Sequence, residues 1–450
     1  MTRWLAEYAW LPDHAEPTPD VLIEAEGGRI TAVTPLVGGG APAAGVEVLG
    51  DAVRLPGLTL PGLANAHSHA FHRALRGRTH GGRGDFWSWR DVMYDVAARL
   101  DPDSYLALAR AAYAEMALAG ITCVGEFHYL HHGPEGKPYA DPNAMSAALI
   151  EAAAHAGIRI TLLDTAYLTA SVDGAELAGT QRRFGDGDAL RWAERVDAYR
   201  PENGHARLGA AIHSVRAVPA EQLATVAGWA DRNGVPLHVH LSEQPAENDA
   251  CRALHGCSPT RLLADHGVLG PHTTAVHATH PTSADVALLG ESRTGVCMCP
   301  TTERDLADGI GPARRMADAG SPLSLGSDSH AVVDLFEEAR AVELDERLRT
   351  RRRGHFGAAE LVTAATVAGH AALGWGDAGR LSVGDRADLV TVRLDSARTA
   401  GVPPVGAFFA ATAADVTHVV VDGRTVVADG RHLTVDVPAE LASAIAEVTS

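Results

Sequence analysis

Residues Leu58-Thr-Leu-Pro-Gly-Leu63 form an apolar run that leads directly into Ala64-Asn-Ala-His67-Ser-His69. Side chains two positions apart on an extended strand point to the same face, so one metal ion can bind both imidazoles. The alternative is a chance pair among the 23 histidines of the chain. The run predicts a strand whose C-terminal end carries metal ligands.

Three later runs end in the same way. They are Pro236-Leu-His-Val-His240-Leu-Ser-Glu243, Thr274-Ala-Val-His277 and Pro322-Leu-Ser-Leu-Gly-Ser-Asp328. Four apolar runs in chain order, each closed by His or Asp, are hard to obtain from packing requirements alone. We interpret the four ends as parts of one site.

The spacing of strand-like runs explains why these residues would meet. Eight such runs alternate with Ala- and Leu-rich helical stretches, near 58–66, 121–129, 159–167, 206–214, 236–242, 273–280, 294–300 and 322–328. This pattern predicts an α/β fold, a (β/α)8 TIM barrel, whose active site lies at the C-terminal ends of the strands. Ligands after strands 1, 5, 6 and 8 would converge there.

Both ends of the chain predict a second, smaller domain. Residues 21–33 alternate around a Gly-Gly turn as in a hairpin, and 379–390 and 418–426 repeat the pattern. We therefore expect a β-sandwich domain built from residues 1–57 and 378–450, with the barrel over residues 58–377.

Composition excludes several classes of function. The formal net charge of −18 repels anions, so nucleic acid and acidic membranes are not expected partners. The first residues soon meet charges and Pro12, so they lack the long apolar core of a signal peptide, and we expect a cytoplasmic protein. Five cysteines are an odd number and do not suit a disulfide framework.

These residues resemble the amidohydrolase superfamily along nearly the whole chain, through His67 and His69, His240 with Glu243, His277 and Asp328. Within the superfamily, the local sequence is most similar to the formimidoylglutamate deiminases of histidine degradation. That narrower resemblance rests on five segments: His67-Ser-His-Ala-Phe71, Phe86-Trp-Ser-Trp-Arg90, Glu126-Phe-His-Tyr129, His213-Ser-Val-Arg216 and Cys299-Pro-Thr-Thr-Glu303.

The resemblance implies one divalent metal ion, zinc by preference, held by four side chains: His67, His69, His240 and Asp328. Many dinuclear relatives use a carboxylated lysine at the end of strand 4. The only lysine of this chain, Lys137, lies in a polar segment away from any predicted strand end. We therefore expect a single metal ion.

Catalytic roles follow from what one metal ion can do. A divalent ion with an open position lowers the pKa of bound water towards ~7. Asp328 would accept the proton of that water, and Glu243 would carry a proton to the leaving nitrogen. His277 would stabilise the developing tetrahedral centre. In a formimino group the attacked carbon bears two nitrogens, and the residues alone do not decide which one leaves.

The implied substrate, N-formimino-L-glutamate, is a dicarboxylate. Arg90 and Arg216 are the candidates to bind it, because the guanidinium fork pairs with a carboxylate through two hydrogen bonds. Tyr129 and His213, at strand ends, would add neutral donors. His72 stands where the deiminase pattern has Gln, and a protonated His72 would favour an anion.

Two alternatives stay open from the sequence. One is an aminopurine or triazine deaminase of the same superfamily, which would share the metal residues but need a flat aromatic pocket. The other is a non-catalytic amidohydrolase-like scaffold, although scaffolds typically lose metal ligands and this chain keeps them. As a further partner we expect a second copy of the chain in a homodimer.

Overall fold

The structure is a computed structural model that describes residues 1–12, 14–36, 51–79, 86–201 and 204–450. Numbered along the chain, its strands are β1 Thr2–Ala9, β2 Thr18–Glu26, β3 Arg29–Pro35, β4 Val53–Pro61, β5 Leu63–Ser68, β6 Ile121–His128, β7 Arg159–Ala166, β8 Ala206–Ile212, β9 Leu237–Leu241, β10 Thr273–His277, β11 Gly295–Met298, β12 Leu323–Leu325, β13 Leu389–Val392, β14 Val416–Val421, β15 Arg424–Ala428 and β16 Arg431–His432.

Helices follow most of the barrel strands. The α-helices are α1 Phe86–Arg99, α2 Pro102–Leu118, α3 Ala144–Ala156, α4 Ala189–Asp197, α5 Ala220–Asn233, α6 Pro245–His255, α7 Pro259–Asp265, α8 Ser283–Glu291, α9 Pro300–Asp305, α10 Ala313–Ala319, α11 Leu335–Thr350, α12 Ala358–Thr363, α13 Gly369–Ala372, α14 Ala407–Ala410 and α15 Val437–Thr449. In the described parts of the chain, no helix is both long and apolar enough to cross a bilayer.

Strands β5 to β12 form a parallel sheet in sequence order, and the sheet closes on itself. A parallel bridge joins Ser68 to Asp328, so the first and last strands meet. The amide of Asp328 donates to the carbonyl of His67 at 3.0 Å, and the amide of His69 donates to the carbonyl of Asp328 at 3.2 Å. The predicted (β/α)8 barrel is therefore confirmed, and its closure lies at three of the sequence-predicted ligand positions.

The other eight strands come from both ends of the described chain and form one continuous sheet, in the order β16-β15-β14-β13-β4-β1-β2-β3. Side chains from both ends pack into a separate apolar core, including Trp4, Ile23, Leu55, Leu389 and Val420. This agrees with a small β domain made from both termini. Hydrogen bonding joins its strands into a single sheet, where the sequence predicted a sandwich.

The predicted strand 58–66 is two strands. Strand β4 runs to Pro61 and pairs antiparallel with β13, with Leu60 opposite Val390, whereas β5 begins at Leu63 in the barrel. The chain changes sheets at Gly62, where a Cβ atom would lie 2.4 Å from Thr122 Oγ1. The terminal sheet thus extends four residues beyond the predicted boundary at residue 57.

Candidate active site

The four predicted metal-binding side chains converge at the C-terminal mouth of the barrel. His67 Nε2 lies 3.2 Å from Asp328 Oδ1 and 3.1 Å from His240 Nε2, and His69 Nε2 lies 3.3 Å from the same Asp328 oxygen. All four side chains are buried. Possible ligand atoms of His67, His240, His277 and Asp328 lie within 4.8 Å of one another, and His69 joins this cluster through the shared Asp328 oxygen.

Backbone hydrogen bonds orient two of these imidazoles. His69 Nδ1 donates to the carbonyl of Phe127 at 2.9 Å, and His240 Nδ1 donates to the carbonyl of His213 at 2.8 Å. With the proton on Nδ1, each Nε2 keeps its lone pair directed at the centre, as in histidines that bind metal. Burial lowers the pKa of His67 to about 3, which keeps this ring neutral as well.

The donor set fits a divalent cation. Ligand atoms at about 2.0–2.1 Å around a tetrahedral ion are about 3.3 Å apart, which is close to the three separations given above. Burial raises the pKa of Asp328, but the hydrogen bond with His67 and the charge of His277 outweigh it and hold this pKa well below the ordinary value. The centre therefore offers three neutral nitrogens and one anionic oxygen.

The strand ends that form the centre hold strained backbone. Twelve described non-glycine residues have positive φ, and five of them, Ser242, His277, Ala278, Asp328 and His330, lie at or just beyond the ends of β9, β10 and β12. This conformation is unfavourable for residues with a Cβ atom and tends to persist at functional sites. The strained backbone lowers the stability of the fold, and it directs these side chains toward the centre.

Glu243 and His277 lie beside the metal-binding cluster. His277 Nε2 is 3.7 Å from Glu243 Oε1 and 3.8 Å from Asp328 Oδ2. Burial lowers the pKa of His277, yet the charges of Glu243, Glu303 and Asp328 raise it well above the ordinary value. Burial raises the pKa of Glu243 against the opposing charges of His277 and Arg216. Both shifts favour the protonated forms of these two side chains.

Arg216 reaches the same pocket from the loop after β8. Its Nε donates to Glu247 Oε2 at 3.0 Å, and its Nη2 lies 3.6 Å from Glu243 Oε2. Burial lowers the pKa of Arg216, but the charges of Glu247 and Glu243 hold it above the ordinary value. Arg90 also lines the pocket, with its guanidinium carbon 5.5 Å from the centre of the Tyr94 ring. It lies on helix α1.

Three further predicted residues line the pocket. Tyr129 and His72 are joined by a hydrogen bond of 3.0 Å between the hydroxyl and Nε2, and the His213 ring lies 5.0 Å from the His240 ring. Burial lowers the pKa of His72 well below its ordinary value. This shift favours the neutral form of His72 as a hydrogen-bonding group, and the cationic role suggested for it stays a prediction.

Sequence reasoning missed three buried carboxylates around the site. Glu303 contacts His277, Glu247 contacts Arg216, and Glu126 accepts hydrogen bonds from the Ser68 hydroxyl and the Ala70 amide. Glu126 and Glu303 fall in the segments that resemble the deiminases, but nothing in the sequence shows that they turn inward. Burial raises the pKa of Glu126 to about 8.

A second cluster of histidines lies apart from this centre. His128, His131 and Asp164 place possible ligand atoms within 4.8 Å of one another. Both oxygens of Asp164 already accept hydrogen bonds from Arg195, and one also accepts from Trp192. Lys137 is exposed and paired with Glu135 at 2.8 Å, far from a bridging position.

Comparison with known proteins agrees with this geometry. Residues 58–426 match the sequence profile of the amidohydrolase family. The chain belongs to the amidohydrolase family. Members of this family are metal-dependent hydrolases, and the clustered His and Asp side chains at the barrel mouth are consistent with that chemistry. This amidohydrolase is 39% identical to the formimidoylglutamate deiminase of Pseudomonas aeruginosa over 397 residues, which covers 85% of this chain and 87% of the relative.

Solved amidohydrolase structures superpose along the full length. The crystal structure of an amidohydrolase from Brucella melitensis is 31% identical with a TM-score of 0.89 and complete coverage of both chains. An adenosine deaminase from Xanthomonas campestris with bound zinc is 25% identical with a TM-score of 0.83, covering 99% of this chain and 97% of that one. These similarities support a deaminase-type hydrolase.

Proposed function

We propose that this amidohydrolase is a formimidoylglutamate deiminase, which hydrolyses N-formimino-L-glutamate to N-formyl-L-glutamate and ammonia. The observation that carries the proposal is that Arg90 and Arg216 line the same pocket as the metal-binding cluster. Because a net charge of −18 repels anions, binding a dicarboxylate requires local positive charge, which these two arginines supply. The 39% identity to the Pseudomonas enzyme supports the same substrate.

In this proposal His67, His69, His240 and Asp328 hold one zinc ion, which when bound lowers the pKa of water and so supplies a nucleophile at neutral pH. Asp328 accepts a proton from the attacking water, because its carboxylate already faces the centre. His277 directs Nε2 at the same point and stabilises charge on the substrate as its carbon becomes tetrahedral.

The proton that Glu243 delivers determines which nitrogen leaves, and so which product forms. Water adds to the formimino carbon, and that carbon then bears one oxygen and two nitrogens. When Glu243 delivers a proton to the unsubstituted nitrogen, the C–N bond breaks, ammonia leaves and the carbonyl of the N-formyl group forms. Its raised pKa suits a group that alternately accepts and gives up this proton.

The two arginines fix the glutamate moiety. Arg216, held by Glu247, would pair with one carboxylate, and Arg90, on helix α1, would pair with the other. Tyr129, His72 and His213 complete the wall as neutral hydrogen-bonding groups. Such an arrangement holds the formimino group against the metal-binding cluster.

A purine-type deaminase is the second candidate, because aromatic side chains also line the pocket, among them Trp89, Tyr94 and Tyr167. Ammonia release by the zinc-loaded enzyme, measured with N-formimino-L-glutamate and with adenosine or guanine, separates the two. We expect turnover of the first substrate only. Deamination of a purine without release from N-formimino-L-glutamate would contradict the proposal.

Arg216→Lys tests the carboxylate role. Lysine keeps a positive charge near Glu247 but loses the guanidinium fork. We expect KM for N-formimino-L-glutamate to rise by about 10-fold or more, equivalent to roughly 1.4 kcal/mol, while zinc content is unchanged. An unchanged KM would remove Arg216 from carboxylate binding.

The homodimer, the cytoplasmic location and the absence of nucleic-acid or membrane partners stay predictions. Light scattering of the purified protein at several concentrations measures the first directly. A mass of one chain, 47.1 kDa, at all concentrations would contradict the dimer.

A further inference from the structure

Glu303 lies behind His277, on the side of the ring that faces away from the metal-binding cluster. Glu303 Oε1 is 3.4 Å from His277 Nδ1, whereas Nε2 of the same ring faces Glu243 and Asp328. The two nitrogens of the His277 ring therefore face different carboxylates. Nδ1 faces Glu303, and Nε2 faces Glu243 and Asp328.

Glu303 is itself held in place. It belongs to α9, the short helix after β11, and its Oε1 also accepts the amide of Cys299 at 3.0 Å. The side chain is 4% exposed, and His277 is 1% exposed. A buried carboxylate fixed to the backbone can set the direction of the ring that it contacts, because neither group can turn toward water.

His277 needs an external constraint on its ring. Its backbone is strained, with φ of 69°, and Ala278 follows at 47°. Its nearest partners on the Nε2 side lie at 3.7 and 3.8 Å, which exceeds hydrogen-bonding distance. The contact with Glu303 is therefore the shortest polar contact that the structure gives to this ring.

We propose that Glu303 is a positioning residue, which accepts a hydrogen bond from Nδ1–H of His277 and so directs Nε2 at the reacting carbon. This inference rests on the proposed function for the role of His277, although not on the identity of the substrate. Partners of this kind behind a catalytic or metal-binding histidine typically contribute about 10- to 100-fold to activity.

A double-mutant cycle tests the proposal, with kcat measured for the wild type, Glu303→Leu, His277→Ala and the double variant. We expect Glu303→Leu to lower kcat by about 10- to 100-fold, with KM within about threefold and zinc content unchanged. Since Glu303 acts through His277, adding Glu303→Leu to His277→Ala lowers kcat no further. A full additional loss in that background, or an unchanged kcat in the single variant, would overturn the proposal.

Glu338→Leu is the matched control. Glu338 is also a buried carboxylate that holds α9, through the amide and hydroxyl of Thr301, but it does not contact His277. Any loss of kcat from this change should be equal in the wild-type and His277→Ala backgrounds. If Glu303→Leu does not fold, Glu303→Asp is measured instead. This change shortens the side chain by one methylene, withdraws the carboxylate from His277 and should lower kcat about 10-fold. An unchanged kcat would overturn the proposal.

The test of Glu303 can fail independently of the proposed function. An enzyme that releases no ammonia from N-formimino-L-glutamate contradicts the proposed substrate, and the cycle is then measured with the purine substrate. A crystal structure of the Glu303 variant needs no substrate. We expect the His277 ring to turn away from the direction that it has beside Glu303, and a ring unmoved in the variant would overturn the positioning role.

Discussion

At the scale of single residues, barrel strand ends supply the metal-binding side chains, and neighbouring helices supply two of the buried carboxylates around them. His67, His69, His240, His277 and Asp328 all end or follow barrel strands, and the barrel brings them together. Glu303 and Glu247 lie on α9 and α6, where a carboxylate that turns inward has the same sequence pattern as one that faces water. Only the packing of the helices distinguishes the two cases.

Glu243→Gln tests the proton shuttle. Glutamine is nearly isosteric and keeps the contacts of the side chain but cannot transfer a proton, so we expect kcat to fall by roughly two to four powers of ten with zinc retained. The exposed Glu221→Gln, on α5, serves as the control and should leave kcat unchanged. A Glu243→Gln rate near that of the wild type would assign the proton transfer to another group.

At the scale of elements, eight strands with intervening helices were predictable because each has its own apolar run and turn residues. The junction of β4 and β5 was not, because residues 58–66 read as one apolar run with no charged residue at the change of sheet. Tertiary packing fixes such boundaries.

Gly326 shows how closely two elements approach behind the metal-binding cluster. A Cβ atom here would lie 2.8 Å from His67 Cβ and 2.9 Å from the His67 carbonyl oxygen. Gly326→Ala should therefore lower the free energy of unfolding by about 1–3 kcal/mol and weaken zinc binding. Thermal unfolding and zinc titration measure both, with Gly270→Ala, which meets no atom within 4 Å, as the control. Equal behaviour of the two variants would contradict this account.

Asp164 ties β7 to α4 through two hydrogen bonds from Arg195, at 2.8 and 3.0 Å. Burial raises its pKa, but the charges of Arg195 and His131 lower it to about 2, below the ordinary value of 3.8. A carboxyl group with a depressed pKa in the folded state stabilises it above the unfolded pKa, and this contribution is lost as pH falls.

The expected signature is a pH-dependent difference between the wild type and Asp164→Asn. The variant should unfold at lower denaturant concentration at pH 6, and its deficit should shrink as pH falls from about 4 to about 2. Denaturant unfolding followed by circular dichroism gives this difference. A deficit that stays constant over that range would show that the ionised carboxylate is not its source.

At the scale of the whole molecule, a buried ion pair joins the terminal sheet to the barrel. Arg159 on β7 pairs through both terminal nitrogens with Asp388, which precedes β13, and the two side chains are 0% and 1% exposed. Arg159 also lies 5.2 Å from the Trp375 ring. The sequence predicted the second domain from its strand pattern, but not this contact, because the paired residues are 229 positions apart.

Arg159→Met should destabilise the protein strongly without altering the site. Removing one partner of a buried ion pair leaves an uncompensated charge and typically costs about 3–5 kcal/mol. We expect a lower Tm with kcat/KM unchanged at 25 °C. Arg393→Met, which breaks the exposed pair with Asp395, should leave Tm unchanged. A Tm equal to that of the wild type would mean that the buried pair does not hold the domains together.

The catalytic roles proposed above all require one divalent cation where β5, β9 and the end of β12 meet. Anomalous X-ray diffraction from crystals of the zinc-loaded enzyme, recorded on both sides of the zinc absorption edge, would locate this cation. We expect one strong peak about 2.0–2.3 Å from His67, His69, His240 and Asp328 together. No peak at that point, or a peak only at His128 and His131, would contradict the proposed roles.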